Sequence, residues 1–313
     1  MTAGIRLLTV RHTTVYRYSE PVRLGEHRMM FRPRESHDLR LLRTTLNIFP
    51  HPAELRWLHD VFDNSVAIAT FGGGATELLQ FDSMVTLEHL ETALPDYALE
   101  IEAQSYPFSY PDEDGPDLVR ARIRHYPGDE VSRWAARFVS SAGSTDTMGL
   151  LQAMTVGIRH EFTYVRRPEK GVQRPEDTLR LRSGSCRDFA LFMMEAVRSL
   201  GLAARFVSGY IFVPDTDDRD EADLTGTIQG AATVSGGATH AWMQVYLPGA
   251  GWVDFDPTNS VVGNRNLIRV AVAWDHGQAL PLWGSFFGAA SSYLGMDVNV
   301  SVTEAAHPAA AVQ

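Results

Sequence analysis

The segment GSCRDFALFMMEAVRSLGLAARFVSGY, residues 184–210, contains the only cysteine of the 313-residue chain. Between residues 189 and 200 its apolar side chains recur at three- and four-residue spacing, which predicts an amphipathic helix. The stretch AARFVSGYIFV that follows, residues 203–213, has the composition of a buried strand. The segment therefore predicts a helix that begins near Cys186 and is followed by a strand of a sheet.

Cys186 is placed by this pattern at the N-terminus of the predicted helix. Unpaired backbone N–H groups and the positive end of the helix dipole favour the thiolate there, and the thiolate is the nucleophilic form. Gly184 lets the chain turn tightly enough to present the side chain. Most single cysteines are instead small buried apolar residues. Position alone leaves both interpretations open, a nucleophile and a structural thiol.

A second segment, THAWMQVYLPGAGWVDFDPTN at residues 239–259, predicts two strands joined by a turn. A thiolate nucleophile needs a base, and the base needs a group that orients it. His240 opens the first strand, and Asp254 and Asp256 lie on one face of the second because strand side chains alternate. The alternation does not choose between the two carboxylates. Pro257 ends the strand and thereby favours Asp256 as the partner of the histidine.

The first hundred residues are rich in short alternating segments, which predict strands and a sandwich-like domain. One of them turns at Asp63-Asn64. After a Pro-, Asp- and Gly-rich stretch the spacing becomes helical, in residues 128–142 and 146–162. Helices followed by antiparallel strands predict an α+β class. The predicted parts are a β-rich N-terminal domain (1–105), a linker (106–118), a catalytic core (119–265), and C-terminal strands with a flexible tail (266–313).

The composition limits the partners that we expect. The net charge is −10, from 28 basic and 38 acidic residues, which argues against nucleic acid and against an anionic membrane surface. We find no apolar stretch of membrane-spanning length and expect no signal peptide. A single cysteine excludes an internal disulfide, and we therefore expect a cytoplasmic protein. The sequence sets no oligomeric state.

Neither a metal nor a cofactor is expected from the sequence. The 11 histidines lack metal-ligand spacing. The acidic segment PDTDDRDEADL, residues 214–224, lacks the glycine and the terminal glutamate of a calcium-binding loop. We interpret this segment as a solvated loop that leads into a Gly- and Thr-rich stretch and could cover a cleft.

Together these segments resemble the core of the bacterial transglutaminase-like superfamily. The N-terminal stretches RHTTVYRYSEPV (residues 11–22) and FRPR (residues 31–34) resemble the β-rich region that precedes this core in bacterial members. The resemblance implies a papain-like fold, in which helices pack on an antiparallel sheet. A sandwich-like N-terminal domain is expected to precede this core in the chain. It also implies a catalytic triad of Cys186, His240 and Asp256, without cofactor or metal. One departure is Asp63, where such proteins are expected to have glycine.

The predicted activity is that of a thiol enzyme on peptide or side-chain amide bonds, with a thioester intermediate and a peptide or protein substrate. Hydrolysis is favoured over transfer to an amine, because water is abundant and no acidic groove for a lysine amine is evident. Arg187, Trp242 and Trp252 are candidates for a substrate cleft, the tryptophans because an indole N–H can orient a substrate. A non-enzymatic binding module is the alternative, and the complete set of triad residues argues against it.

Overall fold

A computed structural model of the chain describes residues 4–90, 97–167, 171–213 and 239–304. A strand-rich N-terminal region precedes a core in which helices pack on an antiparallel sheet. This arrangement confirms the predicted α+β fold class. Across the described ranges, no helix is both long and apolar enough to span a bilayer.

The elements follow one another in this order. The N-terminal strands are β1 (Ile5–Met29), β2 (Leu39–Phe49), β3 (Glu54–His59), β4 (Ser65–Thr70) and β5 (Ala75–Leu90). The middle of the chain forms β6 (Ser105–Tyr106), α1 (Gly115–Arg122), α2 (Asp129–Ala136), β7 (Thr145–Asp146), α3 (Thr147–Glu161), β8 (Thr163–Tyr164), α4 (Pro175–Leu181), β9 (Ser183–Gly184) and α5 (Cys186–Ser199). The last strands are β10 (Ala204–Ile211), β11 (His240–Leu247), β12 (Gly251–Asp256), β13 (Val261–Val262), β14 (Leu267–Ala273), β15 (Leu282–Phe287) and β16 (Tyr293–Glu304).

The N-terminal sheet is organised around β1, which is 25 residues long. Residues 5–17 of β1 pair with β5 and residues 8–18 pair with β16. Further along, residues 23–29 pair with β15 and residues 27–29 with β4. The strand is interrupted by bulges, which bend a strand and increase its twist. The single curled sheet thus has two halves, β2-β5-β1-β16 and β3-β4-β1-β15, which share β1.

The turn between β3 and β4 lies at the predicted position. Asp63 has φ 62°, in the left-handed region that favours glycine. Its backbone N–H donates to Asp60 O over 3.0 Å. This conformation explains why a glycine would fit at this position.

The core sheet has the strand order β13-β12-β11-β10-β14, and α5 packs against one of its faces. Odd-numbered residues of β11 and β12 face the helix, among them Met243, Val245 and Phe255. Even-numbered residues of the same strands therefore point to the opposite face.

The segment predicted as C-terminal strands, residues 266–313, contributes to both sheets. β14 pairs with β10 in the core sheet, whereas β15 and β16 pair with β1. The tail from residue 305 lies outside the described residues. The stretch 106–118 includes the start of α1 and is bound to the core, because Tyr246 donates its hydroxyl to Asp114 over 2.8 Å. The domain limits themselves stay a prediction.

The N-terminal sheet packs directly on β10 and β14 of the core. The shared cluster contains buried residues of both parts: Leu8, Val10, Leu39, Val85, Leu87, Tyr210, Phe212, Ile268, Val270 and Val300. A polar contact also crosses the boundary, since His12 Nδ1 lies 2.9 Å from the Tyr210 hydroxyl. Buried apolar surface is the main stabilising contribution at such a boundary.

Candidate active site

Cys186 is the first residue of α5 and is 6 % exposed. Ser185 precedes the helix in an extended conformation as its N-cap. The thiol therefore lies where the backbone N–H groups of the first turn have no partner within the helix. The segment folds this way because the polar Ser185 caps the helix, while the apolar face that begins at Phe189 packs on the core sheet.

Asp188 fixes this helix start and is fully buried. Its Oδ2 atom accepts the Ser185 backbone N–H over 2.7 Å and the Arg167 Nε–H over 2.8 Å. Its Oδ1 atom accepts the Gln173 backbone N–H over 2.6 Å. This role of Asp188 was not predicted from the sequence, although a serine followed three residues later by an acidic residue is a recognisable capping signal.

His240 and Asp256 lie on neighbouring antiparallel strands, β11 and β12. The His240 Nε2 atom is 2.8 Å from Asp256 Oδ2, and both side chains are fully buried. Asp256 also accepts the Thr258 backbone N–H over 3.0 Å and the Asn259 Nδ2–H over 2.7 Å. These two donors and the imidazole hold the carboxylate in place.

Cys186 and His240 interact electrostatically at the N-terminus of α5. Burial alone raises the pKa of Cys186, but the adjacent imidazole, then Arg187 and the Ala241 backbone N–H, outweigh it and lower this pKa. Burial alone lowers the pKa of His240, and the charge and hydrogen bond of Asp256 outweigh it and raise this pKa. Since Nε2 faces Asp256, the buried Nδ1 atom is the one left for the thiol. Both shifts favour a thiolate–imidazolium pair.

Asp254 has different partners from Asp256, although both project from one face of β12. Its Oδ1 atom accepts from Trp242 Nε1 over 2.6 Å and from Gln244 Nε2 over 2.8 Å. The register sets Gln244 directly opposite Asp254. His240 and Trp242 consequently each reach a carboxylate diagonally across the strand pair.

The three residues proposed for a substrate cleft occupy different surroundings. Arg187 is half-buried and acts on Cys186 through its charge. Trp242 is fully buried, and its ring stacks on His240 with centroids 5.8 Å apart. Trp252 packs against Tyr246. It lies four residues before Asp256 on β12, which places it about 13 Å from Asp256 along the strand. The structure thus brings Arg187 and Trp242, but not Trp252, to the Cys186–His240 pair.

The acidic segment 214–224, interpreted as a solvated loop, lies outside the described residues. In the described parts of the chain, no three His, Cys, Asp or Glu side chains are grouped so that they could hold a metal ion.

Two family models match the chain. The bacterial transglutaminase-like N-terminal region matches residues 8–88, and the transglutaminase-like superfamily core matches residues 133–257. The core match includes Cys186, His240 and Asp256 in that order. The chain belongs to the transglutaminase-like superfamily.

Relatives of this superfamily member occur in mycobacteria. An uncharacterised protein of Mycobacterium tuberculosis is 26 % identical over 309 residues, which cover 96 % of this chain and 93 % of that protein. An uncharacterised protein of Mycobacterium leprae is 33 % identical over 130 residues, 42 % of this chain and 41 % of the relative.

A solved structure supports the assignment of the fold. It is that of a proposed cysteine protease from Cytophaga hutchinsonii, with a TM-score of 0.68 at 17 % identity. The similarity covers 96 % of this chain and 91 % of that one, so it includes both the N-terminal region and the transglutaminase-like core. At this identity the comparison shows the fold alone.

Proposed function

We propose that this protein is a thiol enzyme that acts on peptide or side-chain amide bonds through Cys186, His240 and Asp256. The observation that carries the proposal is a buried histidine that contacts Asp256 and whose charge lowers the pKa of the buried Cys186 thiol. A thiol that only fills space needs no such partner. The family assignment supports an enzyme of this kind.

In the proposed reaction the Cys186 thiolate attacks the carbonyl carbon of the amide. The His240 imidazolium gives its proton to the leaving nitrogen, and the C–N bond breaks as a thioester forms. Asp256 keeps the imidazole oriented and stabilises its charged form. The backbone N–H of Cys186 is one donor for the oxyanion of the tetrahedral intermediate.

Hydrolysis completes the proposed reaction. Water attacks the thioester, His240 accepts its proton, and the carboxylic acid leaves as the Cys186 thiolate is restored. Transfer to an amine is the second candidate, because the core matches the transglutaminase-like superfamily. We favour water as the acceptor on chemical grounds, since it is present in large excess over any amine.

Mass spectrometry of a defined peptide mixture after incubation with the protein tests this proposal. Each reaction has its own product: cleaved peptides for a peptidase, loss of ammonia for an amidase, and an adduct with an added primary amine for a transferase. The Cys186→Ala variant is the control and should form none of these. The peptides should include glutamine-containing ones and should vary widely in sequence. If wild type and variant give identical spectra with all of them, the binding-module alternative replaces the proposal.

A peptide or protein substrate and a cytoplasmic location belong to the same proposal. The net charge of −10 argues against nucleic acid and an anionic membrane surface as partners, and the single cysteine fits a reducing compartment.

A further inference from the structure

Arg269 of β14 lies between two buried carboxylates from different parts of the fold. Its Nη2 atom is 2.7 Å from Oδ1 and 2.9 Å from Oδ2 of Asp38, which lies in the N-terminal region just before β2. Its Nη1 atom is 3.1 Å from Oδ2 of Asp254 in the core sheet. The side chains of Asp38 and Asp254 are 6 % and 4 % exposed, and that of Arg269 is 16 % exposed. Charge-assisted pairs of this kind are strong and geometrically specific.

The carboxylate of Asp254 links Arg269 to Trp242, a residue of the active site. Its other oxygen, Oδ1, accepts the indole Nε1–H of Trp242 over 2.6 Å. Trp242 is fully buried and fits tightly against Gly209, where a Cβ atom would lie 2.8 Å from the indole Cη2 atom. The indole is therefore held at its N–H by Asp254 and at its far edge by the backbone of β10.

The Trp242 ring is the neighbour of the His240 imidazole. Their centroids are 5.8 Å apart and their planes are inclined by 25°. An imidazole can rotate about its Cβ–Cγ bond, and such a rotation would move Nε2 away from Asp256 and Nδ1 away from Cys186. A fixed aromatic plane on one side opposes this rotation by steric contact.

We propose that the N-terminal region positions the catalytic imidazole through Asp38, Arg269, Asp254 and Trp242, in that order. The inference rests on the proposed function, because it assigns positioning residues to the same site. Asp38 and Arg269 act only through Trp242 and touch no reacting atom. The N-terminal region then orients the catalytic histidine in addition to stabilising the fold.

The contacts of Asp38 make it the suitable residue for a test. It also accepts from Asn264 Nδ2 over 2.9 Å. Asp38→Asn keeps the shape of the side chain and removes the negative charge that faces Arg269. Among the described residues, Asp256 and Arg187 act directly on the Cys186–His240 pair through their charges, and this variant leaves both in place.

The test compares Asp38→Asn with a matched variant at the same boundary. Tyr210→Phe removes the 2.9 Å contact with His12, which joins the N-terminal sheet to β10 without reaching Trp242. The readout is the rate of iodoacetamide labelling of Cys186 as a function of pH, together with the melting temperature. Cys186 is the only cysteine, so the label reports this thiol alone.

We expect both variants to lower the melting temperature, and only Asp38→Asn to change the labelling profile. The expected change is a rate about 3- to 10-fold lower near pH 6 and a midpoint at higher pH, in the range of coupling through packed side chains. Trp242→Phe should have a similar effect, and adding Asp38→Asn to it should have little more, because both act through one contact chain.

His240→Ala separates failure of the inference from failure of the proposed function. If it shifts the labelling profile while Asp38→Asn leaves it as in wild type, the inference is wrong and the thiol–imidazole pair stands. The inference is also overturned if Asp38→Asn and Tyr210→Phe change the profile equally. Equal changes would mean that any weakening of the packing between the N-terminal sheet and the core affects the thiol. If His240→Ala itself leaves the profile unchanged, the proposed function fails, and the inference with it.

Discussion

His240 Nε2 lies 2.8 Å from Asp256 Oδ2, and the two side chains are completely buried. Asp254, two residues earlier on the same strand, instead accepts the indole N–H of Trp242. Two carboxylates on one face of one strand thus have different partners, and this difference can be measured.

Asp256→Asn should reduce the rate of amide turnover by about 100- to 10,000-fold, because an amide does not stabilise the imidazolium or fix its tautomer. Asp254→Asn should reduce it much less, since that residue acts on His240 only through Trp242. The measurement is kcat for a substrate found in the peptide mixture, with circular dichroism to check that both variants fold. A larger loss for Asp254→Asn would mean that Asp256 is not the third member of the triad.

His240→Ala should shift the alkylation of Cys186 to higher pH. In the wild type the pKa of Cys186 is lowered, so labelling stays fast below the usual thiol value of about 8.5 and declines only as the pH falls through the lowered value. Without the imidazole, burial remains and disfavours the thiolate, so the midpoint should lie at or above about 8.5. Iodoacetamide rates from about pH 5 to about pH 10 give both midpoints. Equal midpoints would exclude His240 as the partner of the thiol.

Asp188→Ala should destabilise the protein by about 3 to 5 kcal/mol, because it removes the fully buried carboxylate that pairs with Arg167 and accepts the backbone N–H groups of Ser185 and Gln173. Urea unfolding of the purified variant measures this loss. Asp177→Asn is the matched control, since it removes an exposed ion pair with Arg180 and should cost at most about 1 kcal/mol. Similar losses for the two variants would contradict the role assigned to Asp188 at the helix start.

The ion pair of Asp38 with Arg269 should make a contribution to stability that disappears in acid. Burial raises the pKa of Asp38, but the charge of Arg269 and hydrogen bonds from Ser36, Asn264 and Arg269 outweigh it and lower this pKa to about 2. Since this is below the unfolded value of about 3.9, the contribution is present above about pH 4 and is lost as the pH falls towards 2. Allowing for partial exposure, it amounts to about 1 to 2 kcal/mol.

The free energy of unfolding of wild type minus that of Asp38→Asn measures this contribution at each pH. We expect a constant difference at neutral pH that shrinks below about pH 4. A difference that grows as the pH falls would have the wrong sign and would contradict a stabilising charge on Asp38.

Several features of the molecule followed from local patterns in the sequence. The three- and four-residue spacing after Cys186 predicted α5, and the cysteine is its first residue. Alternation predicted that Asp254 and Asp256 share a face, because successive side chains of a strand point to opposite sides. The order of Cys186, His240 and Asp256 within the segments 184–210 and 239–259 was enough to indicate the superfamily. Each of these properties depends on neighbours within a few residues or on a motif.

Only the tertiary structure decided which groups meet. The register of β11 and β12 places His240 within reach of Asp256 and Trp242 within reach of Asp254. Alternation of side chains alone does not determine this register. Asp38 and Arg269 are 231 residues apart in the chain, and their contact exists because the N-terminal sheet packs on β14. No periodicity of the sequence encodes such a pair, since its distance is fixed by the packing of two sheets and not by the spacing of residues along either one.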